Sequence, residues 1–263
     1  MATGDESKVR ELMDRVGPIL HGIPPEYSPP ETGDLIYRMV AEVTGVKDPF
    51  ERSKKEHIAK ALDLYPELNK LIGQSRDPLL TAVRLAVAGN VIDLGIKRSF
   101  RLEEEIRKVL RQDFAIFHFR EFRQSLEEAR SVLYIGDNAG ESVFDRLLIG
   151  ELRKPVTYVV REVPVINDVT RGDAVASGLA REAEIISSGT TAPGTILRLC
   201  RPEFIKRFHD ADMIIAKGQG NYEGLSDCGR TVFFLLMAKC RVIAADLGVQ
   251  ENDIVLKAAG KIP

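Results

Sequence analysis

The sequence predicts an α/β protein, with a three-layer α/β/α domain around a mostly parallel sheet and an all-helical N-terminal domain before it. Two observations carry this prediction. Apolar side chains recur at helical spacing up to Arg130, and beyond it short apolar runs alternate with helical stretches. Strands that alternate with helices are typical of a parallel sheet covered on both faces. We therefore predict a helical domain over residues 1–130 and an α/β/α domain over residues 131–263.

The helical half is divided by proline, glycine and acidic residues. Asp5 precedes a helix that Gly17-Pro18 interrupts, and the prolines between residues 22 and 30 predict an extended connector. Asp48-Pro49 and Asp77-Pro78 each place an acidic cap before a proline, which is a typical helix start. We predict further helices from Thr32 onward and over residues 79–89, 101–112 and 119–130.

Short apolar runs in the second half predict the strands of the sheet, because each is brief and is followed by a polar or glycine-containing turn. These runs cover residues 132–135, 156–160, 184–186, 213–216 and 242–245. Helices are predicted between and after the earlier strands, over residues 141–152, 173–181, 202–208 and 231–239.

The charge and cysteine content narrow the class of protein. A formal charge of −2 gives no electrostatic attraction to nucleic acid or to an anionic membrane, so we expect neither as a partner. Three widely spaced cysteines argue against a disulfide framework and for a reducing compartment. Residues 1–15 lack the apolar core of a signal peptide, and no apolar run approaches the ~20 residues that cross a bilayer. We expect a cytoplasmic protein, and its oligomeric state is left open.

Polar side chains follow the predicted strands, and they point to a metal. Ligands of open α/β sheets bind beyond the carboxyl ends of the strands. Asp137 and Asn138 follow the first strand and Asp168 follows the second, so carboxylate and amide oxygens meet at one edge. Such an all-oxygen set suits Mg²⁺ or Mn²⁺. Taken singly, each pair is better explained as a turn or a helix cap, and only the two pairs together at adjacent strand ends favour a metal site.

Lys217 follows the fourth predicted strand and suggests a phosphate site. Its ammonium group can meet a phosphate as a point charge, and Gly218 and Gly220 allow backbone N–H groups to approach the same anion. The glycine spacing of a Walker loop is absent. A further polar loop follows the fifth predicted strand, at Asp246-Leu247-Gly248.

Three other polar residues have two interpretations each. Asn90 and Asp93 share a helix face at the end of an apolar segment, where they either stop that helix or form a lid or wall of the site. Glu141 begins the helix after the Asp137 turn. It either interacts with the helix dipole or supports the metal ligands from behind.

Several of these blocks together resemble the damage-control phosphatase family, an acidic-residue-methyltransferase-like, metal-binding family formerly catalogued as a domain of unknown function. The blocks occur in the family's order, and the match is to its shorter, prokaryotic-type branch. They are Gly89-Asn90 with Asp93, Asp137-Asn138-Ala139-Gly140-Glu141 with Phe144-Asp145, Asn167-Asp168-Val169-Thr170, and the run from Lys217 to Glu223.

The resemblance implies roles for particular residues and an activity. It implies metal ligation by Asp137, Asn138 and Asp168, with Mg²⁺ or Mn²⁺ expected and Co²⁺ or Ni²⁺ as further candidates. It implies that Lys217 contacts phosphate in catalysis. The implied activity is hydrolysis of a small phosphorylated metabolite, such as a sugar phosphate or a phosphopantetheine-type compound. We assign the substrate pocket to Asn90, Asp93, Glu141 and Asn221.

The sequence leaves the chemical route and two rival functions open. The nucleophile is either a metal-activated water or Asp137 itself, which would form an aspartyl-phosphate. One rival function is an S-adenosylmethionine-dependent methyltransferase, because an acidic turn containing glycine follows the first strand. Against it, Asp137-Asn138 precedes Gly140 and no dense glycine fingerprint is present. The other rival is a non-enzymatic, metal-dependent binding protein for a phosphorylated metabolite.

Overall fold

A seven-stranded sheet forms the centre of the protein in the computed structural model, which describes residues 4–91 and 99–260. The strand order is β1-β7-β6-β5-β2-β3-β4, and all neighbouring strands are parallel except β6 and β7. This arrangement confirms the predicted mostly parallel α/β sheet. The strands are β1 Phe114–Phe117, β2 Val132–Ile135, β3 Val156–Val160, β4 Glu184–Ser187, β5 Met213–Lys217, β6 Val232–Met237 and β7 Ile254–Ala259.

Helices precede the sheet and connect its strands. Among the described helices, five come before β1, as the sequence predicts for this half. The α-helices are α1 Glu6–His21, α2 Pro29–Thr44, α3 Glu51–Gly73, α4 Pro78–Ala88, α5 Ser99–Arg111, α6 Phe119–Glu128, α7 Ser142–Leu152, α8 Arg171–Ala176, α9 Pro202–Asp210, α10 Gln219–Leu225 and α11 Arg241–Leu247. Short 3-10 turns lie at Gly89–Val91, Leu179–Arg181 and Leu197–Leu199.

Alternate side chains of the strands point to opposite faces and build two apolar layers. On one face, residues such as Tyr134 and Phe233 pack with α3, α4, α6 and α7. On the other face, Ile135 and Phe234 pack with α9, α10 and α11. The sheet is therefore the middle of three layers. No α-helix within the described ranges is long and apolar enough to cross a membrane.

Two predicted elements near the C-terminus are wrong in type. Residues 231–239 were expected to be helical but contain β6, and residues 242–245 were expected to be a strand but lie in α11. All six residues of β6 are buried, and an apolar run that is buried on every side carries no periodicity to separate strand from helix. The loop Asp246-Leu247-Gly248 consequently ends a helix and does not follow a strand.

The N-terminal half is also more than a set of helices. β1 lies within it and pairs with β7 in parallel, which corrects the expectation of an all-helical region. In addition, α4 packs its buried residues into the same apolar cluster as β2 and β3. The helix from Glu6 also runs past Gly17-Pro18 to His21 and is not interrupted there. The helical half and the sheet thus share one core.

The strand order reverses direction beside β2, and this reversal creates a crevice. From β2 the chain proceeds through β3 to β4 on one side, and then returns to place β5 on the other side of β2. The loops after β2 and β5 therefore diverge at the carboxyl edge of the sheet. Ligands of open α/β sheets bind at such points.

Candidate active site

Asp137, Asn138 and Asp168 lie together at this crevice, as the sequence predicts. Asn138 and Asp168 face each other in an isolated antiparallel β-bridge. Backbone hydrogen bonds fasten the two loops, with Val169 N donating to Asp137 O at 2.8 Å and Ala139 N donating to Asn167 O at 2.9 Å. Asp137, Asn138 and Asp168 are buried, with exposed fractions of 9%, 6% and 4% respectively.

The amide of Asn138 is oriented by carboxylates. Its Nδ2 donates to Asp137 Oδ2 at 3.0 Å and to Glu141 Oε2 at 3.2 Å. Because an amide carries its donor and its acceptor on opposite branches, this directs the carbonyl oxygen Oδ1 away from the carboxylates. The amide oxygen of Asn138 is of the hard type that a divalent cation prefers.

Asp137 lies in an environment that disfavours its negative charge. Burial raises the pKa of Asp137 well above its ordinary value, and the charges of Asp168 and Glu141 raise it further. Gly218 permits this position, because a Cβ atom at residue 218 would lie 1.9 Å from Asp137 Oδ2. Gly218 also has φ of +79°, which is a conformation that favours glycine.

Lys217 is fully buried beneath the crevice and has three hydrogen-bond acceptors. Its Nζ donates to Glu141 Oε1 at 2.6 Å, Asp145 Oδ1 at 2.7 Å and Ala86 O at 2.8 Å. Burial lowers the pKa of Lys217, but Asp145 and Glu141 outweigh it and leave the pKa raised. The ammonium has only three N–H groups. Contact with a phosphate would therefore exchange one of these bonds, and that contact stays a prediction.

Asp145 on helix α7 holds this lysine in place from one face of the sheet. Its carboxylate accepts hydrogen bonds from Tyr134 Oη and Tyr158 Oη, each at 2.7 Å, in addition to Lys217. Burial raises the pKa of Asp145, and the positive charge of Lys217 opposes that rise. Every side chain in this group is fully buried, so the group supports the site from behind.

Arg161 connects segments of the chain that follow β3, β4 and β5. Its Nε donates to Asp168 Oδ2 at 2.6 Å, and its terminal nitrogens donate to Thr195 Oγ1 at 3.0 Å and Asn221 Oδ1 at 3.1 Å. Asn221 Nδ2 in turn donates to Gly136 O at 3.0 Å and to Lys217 O at 2.7 Å. Both N–H groups of the Asn221 amide and one lone pair of its oxygen are thus used within the protein, and its predicted contact with substrate stays a prediction.

Asn90 reaches the site from the helical half. Its Nδ2 donates to Glu141 Oε2 at 3.0 Å, and its Oδ1 is buried without a hydrogen-bond partner. Glu141 consequently accepts hydrogen bonds from Asn90, Asn138 and Lys217, and its support of metal ligands and its contact with substrate both stay predictions. Asp93, the companion of Asn90 in the sequence, lies outside the described residues.

Helix α2 forms another wall of the crevice. Thr191 Oγ1 donates to Asp34 Oδ1 at 2.5 Å, and Arg198 forms an ion pair with Glu31. Tyr37 lies on the same helix. Burial raises the pKa of Tyr37, and the negative charge of nearby Asp168 raises it further. The helical half therefore borders the site through α2 as well as through Asn90.

The buried charges of the site fit a divalent cation. Four buried carboxylates face two buried cationic groups, and the positive charge of half-buried Lys239 also acts to lower the pKa of Asp137, so with all these groups ionised the carboxylates outnumber the cations by one. Within the described part of the chain, no group of three or more His, Cys, Asp or Glu side chains is arranged to hold a metal ion. The candidate set contains two carboxylates and one amide, which suits a cation that keeps several waters. The buried charged residues are Asp137, Glu141, Asp145 and Asp168 with Arg161 and Lys217.

The fold and site together define an α/β/α protein with an acidic, oxygen-rich crevice at a reversal of strand order. The chain belongs to the damage-control phosphatase family, because the model of the damage-control phosphatase ARMT1-like domain matches residues 1–255. This membership supports a phosphatase role.

Individual relatives agree with the family assignment. A damage-control phosphatase of Pyrococcus horikoshii is 38% identical over 236 residues, covering 86% of this chain and 80% of that protein. A damage-control phosphatase of Archaeoglobus fulgidus is 36% identical over 230 residues, covering 84% of this chain and 80% of that protein. A crystal structure of a DUF89 family protein from Pyrococcus horikoshii is similar with a TM-score of 0.86 and 34% identity, covering 98% of this chain and 92% of that one.

Sequence reasoning did not identify Arg161 as part of the site. A signal was present, because Arg161 directly follows a predicted strand and occupies the same edge as Asp168. Its partners Thr195 and Asn221 are 34 and 60 residues away along the chain. Contacts at such separations cannot be inferred from local spacing.

Proposed function

We propose that this chain is a metal-dependent phosphatase that hydrolyses a phosphoric monoester of a small metabolite. The observation that carries the proposal is that Asp137, Asn138 and Asp168 lie close together and buried. The site around them contains more carboxylates than cationic side chains. The names of the relatives support the phosphatase part of the proposal. The metal part is supported by the candidate ligand set, which consists of two carboxylates and one amide and offers oxygen atoms to a cation.

The residues of the chain prepare the site for a cation and a phosphate. Asp137, Asn138 and Asp168 would hold Mg²⁺ or Mn²⁺, with Co²⁺ and Ni²⁺ as alternatives. Such a cation would offset charge on phosphate oxygens and make a bound water more acidic. Asn138 is oriented by Asp137 and Glu141, and the positive charge of Lys217 balances Glu141. These contacts join Asp137, Asn138, Glu141 and Lys217 in one hydrogen-bonded group.

Two routes to phosphate release remain distinct. In one, water attacks phosphorus and the ester oxygen leaves with a proton. In the other, Asp137 attacks first and water then hydrolyses the aspartyl-phosphate. Acid quenching during turnover, followed by mass spectrometry of the peptide that carries residue 137, separates the two routes. A phosphorylated peptide supports attack by Asp137, and an unmodified peptide during steady turnover supports attack by water.

A screen of phosphate release tests the proposal. The protein is stripped of metal, supplied with Mg²⁺, Mn²⁺, Co²⁺ or Ni²⁺, and offered sugar phosphates and phosphopantetheine-type compounds. We expect release from at least one member of the panel that requires added metal. Tight binding of these esters without release would instead favour a binding protein. Binding of S-adenosylmethionine, measured by calorimetry, would favour the methyltransferase as the function.

A further inference from the structure

Arg161 is a buried cation at the carboxyl edge of the sheet, with three side-chain hydrogen bonds. Its side chain is fully buried, and each nitrogen of the guanidinium donates a hydrogen bond to a different residue. Two of the acceptors, Asp168 and Thr195, lie in the loops that follow β3 and β4, and the third, Asn221, lies in helix α10 after β5. A planar guanidinium can serve three such partners at once, whereas an ammonium group cannot reproduce this geometry.

Side chain and backbone of Arg161 act on the same segment. While Nε donates to Asp168 Oδ2, the backbone N–H of Arg161 donates to Val169 O at 3.0 Å, and Arg161 and Thr170 form a parallel β-bridge. One carboxylate oxygen of Asp168 is thus engaged by Arg161, and the rotation of the carboxylate is restricted. The other oxygen, Oδ1, is oriented by the same contact.

We propose that Arg161 is a positioning residue that holds Asp168 in the orientation required for divalent-cation binding. This inference rests on the proposed function, because it assumes that Asp168 is a metal ligand. In this role Arg161 acts through Asp168, to which its fully buried guanidinium donates a hydrogen bond. Partners that orient a metal ligand from behind contribute about 10–100-fold to metal affinity.

Electrostatics alone predicts the opposite sign, which makes the proposal testable. Removing the positive charge of Arg161 would increase the excess negative charge of the site and attract a cation more strongly. A positioning role instead predicts weaker binding, because a freed Asp168 loses its fixed orientation. The direction of the change therefore distinguishes the two effects.

The experiment measures the dissociation constant for Mn²⁺ by calorimetry on the metal-free full chain. We expect Arg161→Met to weaken Mn²⁺ binding by about 10–100-fold. We expect Arg161→Lys, which keeps the charge, to weaken it less but measurably. Arg146→Met is the matched control, because Arg146 is also largely buried and paired, with Glu182 at 2.9 Å, but does not contact the crevice. Its Mn²⁺ affinity should equal that of the wild type.

Three results would overturn the proposal. The first is wild-type or tighter Mn²⁺ binding by a folded Arg161→Met variant. The second, which applies if that variant does not fold, is a wild-type Mn²⁺ affinity of Arg161→Lys. The third is an unchanged Mn²⁺ affinity with a raised KM at saturating Mn²⁺, which would make Arg161 a substrate contact. Failure of the wild type itself to bind any of the four metals would overturn the proposed function, and it is recognised before any variant is made.

Discussion

At the scale of single residues, the site depends on how closely Gly218 approaches Asp137. We expect Gly218→Ala to reduce phosphatase activity at least tenfold, because the new methyl group would overlap the position of Asp137 Oδ2. Its backbone conformation, with φ of +79° and ψ of 167°, adds a strain of about 1–3 kcal/mol for any other residue. Gly248→Ala is the control, since Gly248 also has positive φ, at +71°, but has nothing within 4 Å of the added atom. Equal activity of the two variants would refute the steric argument.

The raised pKa of Asp137 makes a second prediction at the same scale. Its folded-state pKa lies above the ordinary carboxyl value, so without metal the folded state loses stability as pH rises through that interval. A cation must displace the proton, so metal binding weakens as pH falls. We expect Mn²⁺ to raise the Tm more at about pH 8 than at about pH 5.

A variant separates this effect from general pH effects. Without metal at neutral pH, Asp137→Asn should be more stable than the wild type, by at least about 1 kcal/mol, because it removes a buried charge next to Asp168 and Glu141. Asp63→Asn on the exposed surface is the control and should leave stability unchanged. A less stable Asp137→Asn protein would contradict the electrostatic account of this residue.

At the scale of elements, Lys54 joins α3 to α8. Its Nζ contacts Asp48 at 2.7 Å and Asp173 at 2.8 Å, and its side chain is 2% exposed. Burial lowers the pKa of Lys54, but hydrogen bonds to Asp173 and Asp48 outweigh it and leave the pKa raised. The stabilisation is therefore complete below the unfolded lysine pKa and is lost only as pH rises through the folded value.

Replacement of Lys54 should consequently be costly at neutral pH. We expect Lys54→Met to lower the free energy of unfolding by about 3 kcal/mol, because two acidic side chains lose their buried partner. Lys55→Met is the control, since Lys55 is 71% exposed and pairs only with Glu51 along the same helix. Urea unfolding measures both variants, and a change below about 1 kcal/mol for Lys54→Met would be inconsistent with a stabilising pair.

The same scale shows what sequence pattern can and cannot predict. The loops that carry Asp137, Asn138 and Asp168 were predicted to meet because parallel strands align their carboxyl ends, and the structure brings them together. β6 was predicted as a helix because its residues are buried on both faces. β1 has four residues between two charged helices, which is too short for a clear alternating pattern.

At the scale of the whole molecule, the two halves of the chain share one core. The face of the sheet that contains Tyr134 and Phe233 is covered by α3, α4 and α6 from before residue 130, together with α7. We expect a fragment of residues 131–263 not to fold, because it would expose this face and lose β1. Circular dichroism and thermal unfolding of the fragment measure this.

A shorter truncation is the matched control for that experiment. Helix α1 contains no buried residue, and Met13 on it is 69% exposed. Removal of residues 1–21 should therefore leave a folded protein with nearly unchanged unfolding. A cooperative thermal transition in the 131–263 fragment would instead show that the α/β/α half is an independent domain, as the sequence suggested.

The central claim is that Asp137, Asn138 and Asp168 hold a divalent cation on which phosphate release depends. The most direct measurement is phosphate release by metal-stripped wild type and metal-stripped Asp137→Ala, each titrated with Mn²⁺ on the best substrate of the screen. We predict that Mn²⁺ restores activity to the wild type and that Asp137→Ala stays at least about 100-fold less active at every Mn²⁺ concentration. Full activity of Asp137→Ala, or of the stripped wild type without added metal, would contradict the claim.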